Sequence, residues 1–369
     1  MSSADVDVAV IGGGQAGLAM GHQLARRGRD AVILDAHQRV GESWRERWDS
    51  LVLFTEARFA GLPGMPFPGP ARAHPTKDQV ADYLAGYAER FRLPVQGGVR
   101  VDRVLRHRAG FELRFGPDRL LARAVVLATG AHQRPVVPAL AGRLDTALVQ
   151  LHSSGYRAPG QLPRGPVLVV GAGNSGAEIA LELARAGRRT TLAGPDTGAL
   201  PTRLLGRTYW WLVHDVLTLD RRVGRRVLSR FRGGGSPLIR TTPALLAQAG
   251  VERVGRITDV RGGRPVPDGR GPLDVASVVW CTGFAPDFGL LDLPLRFADG
   301  YPVHQRGVVA GQPGLYLLGT PLLYALTSSF LGGVGRDAAY LADRIAGRPA
   351  PGSAAAFGTA GHRPGWGVR

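Results

Sequence analysis

The chain of 369 residues contains one cysteine, Cys281. A single thiol excludes an intrachain disulfide and any dithiol redox centre, and such sparing use suits a reducing cytoplasm. No apolar run reaches the roughly 18 residues that suggest a membrane-spanning helix. The N-terminus runs almost directly into an apolar strand pattern without a signal-peptide pattern, so a cytoplasmic protein is expected. Acidic residues are few beside basic ones, 29 against 46, and the formal net charge is +17. Such an excess can attract nucleic acid, anionic lipid or acidic ligands. Here the basic residues are nearly all arginine and scattered, and no recognised nucleic-acid-binding motif accompanies them. Abundant Arg, Ala, Gly and Pro look like the residue usage of a GC-rich genome. No nucleic-acid partner and no metal site are expected.

What is present is glycine in a particular pattern. The apolar run Val8 to Ile11 ends in Gly12, Gly13 and Gly14, and Gly17 follows. Gly12, Gly14 and Gly17 form GxGxxG, and Asp35 closes a second apolar run about 20 residues further on, the spacing of a dinucleotide fingerprint. The first glycine permits a tight strand-to-helix turn. The second lets a pyrophosphate approach the backbone, and the third lets helix and strand pack closely. The helix N-terminus faces the phosphates, and the acid accepts hydrogen bonds from a ribose. This motif alone does not separate FAD from NAD(P).

Further along, Gly41-Glu42-Ser43-Trp44-Arg45 is a loop suited to wrapping a cofactor's phosphates. Leu51 to Pro70 is irregular, since its prolines and glycines exclude a long helix. Lys77 to Phe91 has helical spacing, with Val80, Tyr83, Leu84 and Tyr87 on one face and Thr76 as N-cap. Val99 to Val104, Phe111 to Phe115 and Ala124 to Ala128 read as short strands, the last running into Thr129-Gly130. Ser154 to Pro166 has the composition of a linker.

Then the opening pattern returns. Strand Val167 to Val170 leads into Gly171, Gly173 and Gly176, a second GxGxxG, with Thr190 to Ala193 as the next strand. Two such units in one chain predict two nucleotide cofactors and redox transfer between them. Gly194 and Pro195 stand where the second unit's acid belongs, so a 2′-phosphate is permitted. Arg188, Arg189 and Arg203 are candidates for its positive partner. Tyr209 to Leu219 is apolar and aromatic, with basic residues following to Arg232. It reads as a helix covering the second domain rather than one lying on a membrane surface. Arg232 to Ser236 reads as a flexible turn. Ser277 to Gly283 repeats the strand-then-Thr-Gly form of Val125 to Gly130. Gly314 to Gly319 reads as a strand, and Ser328 to Ile345 as a terminal helix with Gly332, Gly333 and Gly335 at its start. Backbone N–H groups there can stabilise negative charge on a ligand.

Taken together, GGGQAG (12–17), GESWR (41–45), LPGMPFP (62–68), ATG (128–130), GAGNSG (171–176) and CTGF (281–284) resemble the flavin-dependent monooxygenases with two dinucleotide domains. These include the flavin-containing monooxygenases, the plant auxin-forming enzymes and a bacterial flavoprotein oxidoreductase group that carries a potassium-transport label. The resemblance spans Asp5 to about Ile345. It implies an α/β fold of two Rossmann-like, three-layer dinucleotide-binding domains, the NAD(P) domain inserted into the FAD domain. The implied segments are 1–157 and 286–347 for FAD, 158–285 for NAD(P), and a disordered tail over 348–369.

By the same resemblance, Gly12, Gly14, Gln15, Ala16, Gly17 and Asp35 hold FAD. Gly41, Ser43, Trp44 and Arg45 lie along it, with Val101, Ala128, Thr129, Gly130 and Gly319. The nicotinamide nucleotide, NADPH or alternatively NADH, falls to Gly171, Gly173, Asn174, Ser175 and Gly176, with Thr282 and Gly283. Thr55 and His152 are the implied candidates for a catalytic role. The family's linker signature FxGxxxHxxxY falls on Thr146 to Tyr156. His152 and Tyr156 match it, while Thr146 and Leu148 replace its Phe and Gly. Tyr156 stands where the related Baeyer–Villiger enzymes carry Trp. The implied reaction reduces FAD with NADPH, and molecular oxygen then gives a flavin C4a-hydroperoxide shielded from water. That species oxygenates a nitrogen, sulfur or carbonyl centre of a small molecule. A homodimer is the candidate assembly. Two other readings remain open: a flavoprotein reductase serving a non-dithiol acceptor, and a non-enzymatic nucleotide-binding or membrane-surface protein.

Overall fold

The computed structural model describes residues 5–199, 210, 212–228 and 237–347. Arg203, the turn 232–236 and the tail from 348 lie outside them. Two sheets organise the chain. The first has ten strands, with Val6–Ile11 at its centre, parallel to Ala31–Asp35 on one side and Asp118–Leu127 on the other. Val8, Ala9 and Val10 are fully buried, as expected of a parallel strand covered on both faces. Gln15–Ala25 and the C-terminal helix Leu331–Ala346 pack together over this sheet. The second sheet has five parallel strands, ordered Glu252–Val254, Thr190–Ala193, Val167–Val170, Ser277–Trp280 and Val149–His152.

Two expectations change. Val149–His152 pairs with Ser277–Trp280, so the second sheet begins ahead of residue 158. The polar stretch after it misleads because composition marks a loop, not the ownership of the strand before it. Val99 to Val104 is not one strand: Val95–Gly97 and Arg103–His107 pair on opposite sides of a bend. Helix Lys77–Arg90 follows its pattern, with Val80, Tyr83, Leu84 and Tyr87 all buried. Thr76 closes a reciprocal capping box with Gln79.

The chain passes between the units twice. Arg134–Pro135 and Phe284–Ala285 form a short antiparallel pair at the crossing. Of the expected aromatic helix, Leu212–Val216 is a π-helical turn. It packs on the first unit rather than the second, because the first unit offers the aromatic partners. Trp210 stacks on Phe59, with ring centroids 5.1 Å apart, and the Leu219 N–H donates to Tyr324 O at 2.8 Å. Tyr209 itself lies outside the described residues.

Candidate functional site

The two fingerprints fold into the same local structure. At φ +111° and +109°, Gly12 and Gly171 occupy backbone conformations that L side chains rarely adopt. A Cβ on Gly12 would sit 2.5 Å from Ala128 O, and one on Gly171 would sit 2.2 Å from Cys281 O. A Cβ on Gly17 or Gly176 would meet the carbonyl of Gly12 or Gly171 at 1.8 Å. Each strand-to-helix turn is thus wedged against the end of a neighbouring strand, the one that exits through Thr129-Gly130 or Thr282-Gly283. Only the middle glycines differ: a Cβ on Gly14 or Gly173 would meet nothing within 4 Å.

Both fingerprint helices, Gln15–Ala25 and Asn174–Arg185, start from these open glycines without a side-chain cap. Their leading N–H groups are therefore available to an external acceptor. An anion fits that geometry and the positive end of each helix dipole. The residues present fit the pyrophosphates of two dinucleotides.

Around the first turn, Asp35 Oδ2 accepts from the Gly13 N–H at 2.6 Å and Oδ1 from the His37 N–H at 2.8 Å. The carboxylate thus fixes the glycine loop from the end of the second strand. Gln15 bridges Trp44 Nε1 (3.3 Å) and Ser329 O (3.3 Å), joining the loop after the second strand to the start of the C-terminal helix. Arg45 donates to Val40 O at 3.0 Å and to Asp82 at 2.8 Å, while buried Lys77 donates to Arg45 O at 3.1 Å. These bonds hold the 41–45 turn on the capped helix, where Gly41, at φ +88°, abuts the Ala81 backbone. Ser43 accepts at its carbonyl from Arg47. Ala16 and Gly319 are buried against one another, a Cβ on Gly319 meeting the Ala16 Cβ at 2.6 Å. Val101 is buried in the first core, and Gly130 borders open space. Thr129 accepts from Gln133 at 2.5 Å. Thr55 is half-buried beside Phe54, whose ring meets Phe330 edge-on at 5.2 Å.

In the second unit, Ser175 is exposed at the helix start, but Asn174 is committed. Its amide donates to Pro237 O at 3.1 Å and accepts from the Ile239 N–H at 3.0 Å. Thr282 donates its hydroxyl proton to Val136 O. Arg188 is spent on Leu162 and Pro163 carbonyls. Arg253 is a residue that motif reading missed. It lies beside the missing acid, donating to Gly194 O at 3.2 Å. Nothing in the local sequence marks it; the register of Glu252–Val254 against Thr190–Ala193 brings it there.

His152 ends the edge strand Val149–His152 of the second sheet and reaches the turn that leaves its neighbour Ser277–Trp280. Its Nε2 lies 3.1 Å from Gly283 O, an acceptor only, so Nε2 carries the proton. Its Nδ1 then accepts from the Ser154 N–H at 3.2 Å. Burial lowers its pKa, against the opposing pull of the Gly283 carbonyl, and Arg47 lowers it further. Both ring nitrogens are occupied by neutral-state bonds.

The family model of the pyridine nucleotide-disulphide oxidoreductases matches residues 9–203. An uncharacterized CzcO-like oxidoreductase of Geobacillus kaustophilus is 36% identical, over 92% of this chain and 98% of its own. A flavin-containing monooxygenase structure from Stenotrophomonas maltophilia superposes with a TM-score of 0.77 at 30% identity, over 94% of this chain and 98% of the other. Indole-3-pyruvate monooxygenase YUCCA1 of Oryza sativa subsp. japonica is 35% identical over 53% of this chain and 50% of its own.

Proposed function

Because the chain belongs to the pyridine nucleotide-disulphide oxidoreductase family, in its flavin monooxygenase-like branch, we propose that it oxygenates a nitrogen, sulfur or carbonyl centre of a small molecule. It is an FAD- and NADPH-dependent enzyme. The observation that carries the reading is the pair of uncapped helix starts at Gly14 and Gly173, each open to an anion. FAD belongs with the first, because its strand ends in an acid. NADPH belongs with the second, because its strand ends in Gly194 with Arg253 alongside, where a guanidinium can pair with a 2′-phosphate.

When bound, FAD would supply the electron chemistry that links NADPH to molecular oxygen. The chain's own residues position and enclose. Gln15, Trp44 and the Ser329 carbonyl tie the glycine loop to the start of the C-terminal helix. His152 holds the Gly283 turn against the second strand's exit. It acts as a positioning residue there, not as a proton carrier, because both nitrogens are taken. Cys281 carries no redox step: burial pushes its thiol up to about 12 and no second cysteine exists. No helix among the described residues is long and apolar enough to cross a membrane. The single free cysteine supports a reducing, cytoplasmic setting.

The test is NADPH oxidation by the flavin-loaded protein with a panel of amines, thioethers and ketones under isotopically labelled oxygen. The expected result is oxygen-dependent NADPH consumption with label in one product class. Rapid anaerobic reduction of an external acceptor, with no label in any product, would establish a reductase instead.

A further inference from the structure

Phe284 follows directly on Thr282-Gly283, the exit of the second sheet, and pairs with Pro135 where the chain crosses between the units. Three side chains meet its ring. His132, just past the Gly130 exit of the first sheet, stands edge-on at 4.8 Å and 83°. His152 stands edge-on at 5.0 Å and 86°. Arg47, just past the 41–45 turn, places its guanidinium carbon 5.9 Å from the ring centroid. All four residues lie at or beyond the carboxyl ends of parallel strands, Ala31–Asp35 and Asp118–Leu127 in one sheet, Val149–His152 and Ser277–Trp280 in the other. Open α/β sheets bind their ligands on that side.

The positive charge at this junction has no acid paired with it. Arg47 Nε donates to Ser43 O at 3.3 Å, and among the described residues its two terminal nitrogens have no hydrogen-bond partner. Arg157 lies close enough to repel it, and donates through one nitrogen to the carbonyls of Ser154 (2.8 Å) and Tyr156 (3.2 Å). The acids nearest in sequence face other cations: Glu46 lies 3.6 Å from His37, and Asp49 3.8 Å from Lys77. Glu46 favours the Arg47 charge from a distance, but desolvation and Arg157 outweigh it. His132 makes no hydrogen bond among the described residues. The protein packed around its ring, and then the Arg47 charge, push its pKa down to about 4, so it is a neutral donor beside two guanidiniums. A half-buried guanidinium beside a like charge is costly unless an anion compensates it. His132 is exposed and Arg47 half-buried, so an anion from solvent can reach both.

We propose that Arg47, with Arg157 and His132 beside it, seats an oxyanion at the junction of the two sheet exits. The planar fork of a guanidinium with both terminal nitrogens open fits two oxygens of one phosphate or carboxylate. Two sources carry that chemistry to this place: the pyrophosphate common to NADPH and NADH, and the carboxylate of an acidic oxygen acceptor. Because Arg47 belongs to the first unit and Phe284 follows the exit of the second, a seated anion lies where the two units meet. The acceptor arm rests on the monooxygenase reading; anion binding itself does not.

The experiment titrates the flavin-loaded protein, its histidines ring-labelled with carbon-13, with inorganic phosphate and with benzoate at constant ionic strength and pH 7.5. The His132 signal, assigned through His132→Gln, is expected to shift saturably with at least one probe, while that of His107, in strand Arg103–His107, stays in place. Arg47→Gln should raise the half-saturating concentration about tenfold or more, and Arg47→Lys, which keeps the charge but not the fork, should fall between. If Arg47→Gln does not fold, Arg47→Lys and Arg157→Gln supply the comparison. Steady-state kinetics at matched flavin loading then assign the source. Equal rises of about tenfold in the KM for NADPH and NADH in Arg47→Gln identify the pyrophosphate. A rise in the KM for (methylthio)acetate, with dimethyl sulfide and both nucleotides unchanged, identifies an acceptor carboxylate. No saturable His132 shift in the wild type, the same titration in Arg47→Gln, or no change in any of these KM values would overturn the anion seat. No oxygen incorporation into any acceptor would instead overturn the monooxygenase reading and leave the histidine titration standing.

Discussion

Replacing the open glycine of each fingerprint by alanine separates binding from folding. Gly14 has φ −77° and ψ −171°, ordinary for any residue, and Gly173 has φ −75° and ψ −172°. A Cβ at either meets nothing within 4 Å, so Gly14→Ala and Gly173→Ala should cost at most about 1 kcal/mol as N-cap changes. Each methyl would occupy the space through which a phosphate approaches the helix start. A hydrogen bond to a charged group contributes about 1.5–3 kcal/mol, so losing one weakens binding roughly ten- to a hundredfold. Gly173→Ala is therefore expected to raise the KM for NADPH by that factor while the protein stays fully loaded with flavin. Gly14→Ala should purify with much less flavin at nearly unchanged apoprotein stability. Gly12→Ala is the contrast: its Cβ would lie 2.5 Å from Ala128 O at φ +111°. Left-handed backbone strain and overpacking together predict a loss of about 2–5 kcal/mol. The assays are flavin absorbance per protein, steady-state NADPH kinetics and thermal melts of the apoprotein. If Gly14→Ala destabilised as much as Gly12→Ala, or if Gly173→Ala left the KM for NADPH unchanged, the assignment of open and wedged glycines would be wrong.

Asp35→Ala leaves the Gly13 and His37 N–H groups without their carboxylate. It should cost about 2–4 kcal/mol by thermal melt and reduce flavin retention, with Asp35→Asn intermediate. His22 is buried beside Tyr87 and Phe91, and burial lowers its pKa from 6.5, as it does for His152 and His214. Below about pH 6.5 the unfolded chain therefore binds more protons than the folded one, so stability is present at neutral pH and falls as pH drops. Denaturant midpoints between pH 7.5 and 5.5 should decline, and His22→Gln should flatten part of that slope; a slope unchanged by the substitution would remove His22 from the account. Cys281 should resist thiol reagents in the native protein and react as one thiol after unfolding, with Cys281→Ser retaining NADPH turnover.

The parts legible in the sequence are those fixed by local rules. The glycine turns, their strands and the helix capped by Thr76 follow from spacing over a few residues, and the wedge of Gly12 under Ala128 is what the first fingerprint glycine is for. What stayed hidden depends on partners far along the chain. Arg253 reaches Gly194 because two strands pair in parallel, 59 positions apart. Asn174, within a phosphate-binding motif, is spent on holding Pro237 and Ile239. The aromatic run near Trp210 carried the right burial signal but not its destination, because apolar rings pack equally well on either unit until Phe59 and Tyr324 are in place.

The duplication itself sets how the two sites differ. Gly12, Gly14 and Gly17 repeat as Gly171, Gly173 and Gly176, wedged against Ala128 in one unit and Cys281 in the other. With the glycine geometry the same in both, the two turns differ at the ends of their second strands. Asp35 there turns its charge back onto the Gly13 N–H and offers an acceptor suited to a ribose. Gly194 offers no side chain at all, and the nearest charge is the guanidinium of Arg253, which supplies donors only. An acid on one side and a base on the other give two like-folded turns opposite preferences. Exchanging those charges should therefore move nucleotide choice more than altering any glycine. Arg253→Glu is expected to raise the KM for NADPH about tenfold or more while leaving that for NADH within a few-fold, since one charge-assisted contact contributes about 1.5–3 kcal/mol. Equal changes for both nucleotides would show that Arg253 only braces the Gly194 carbonyl.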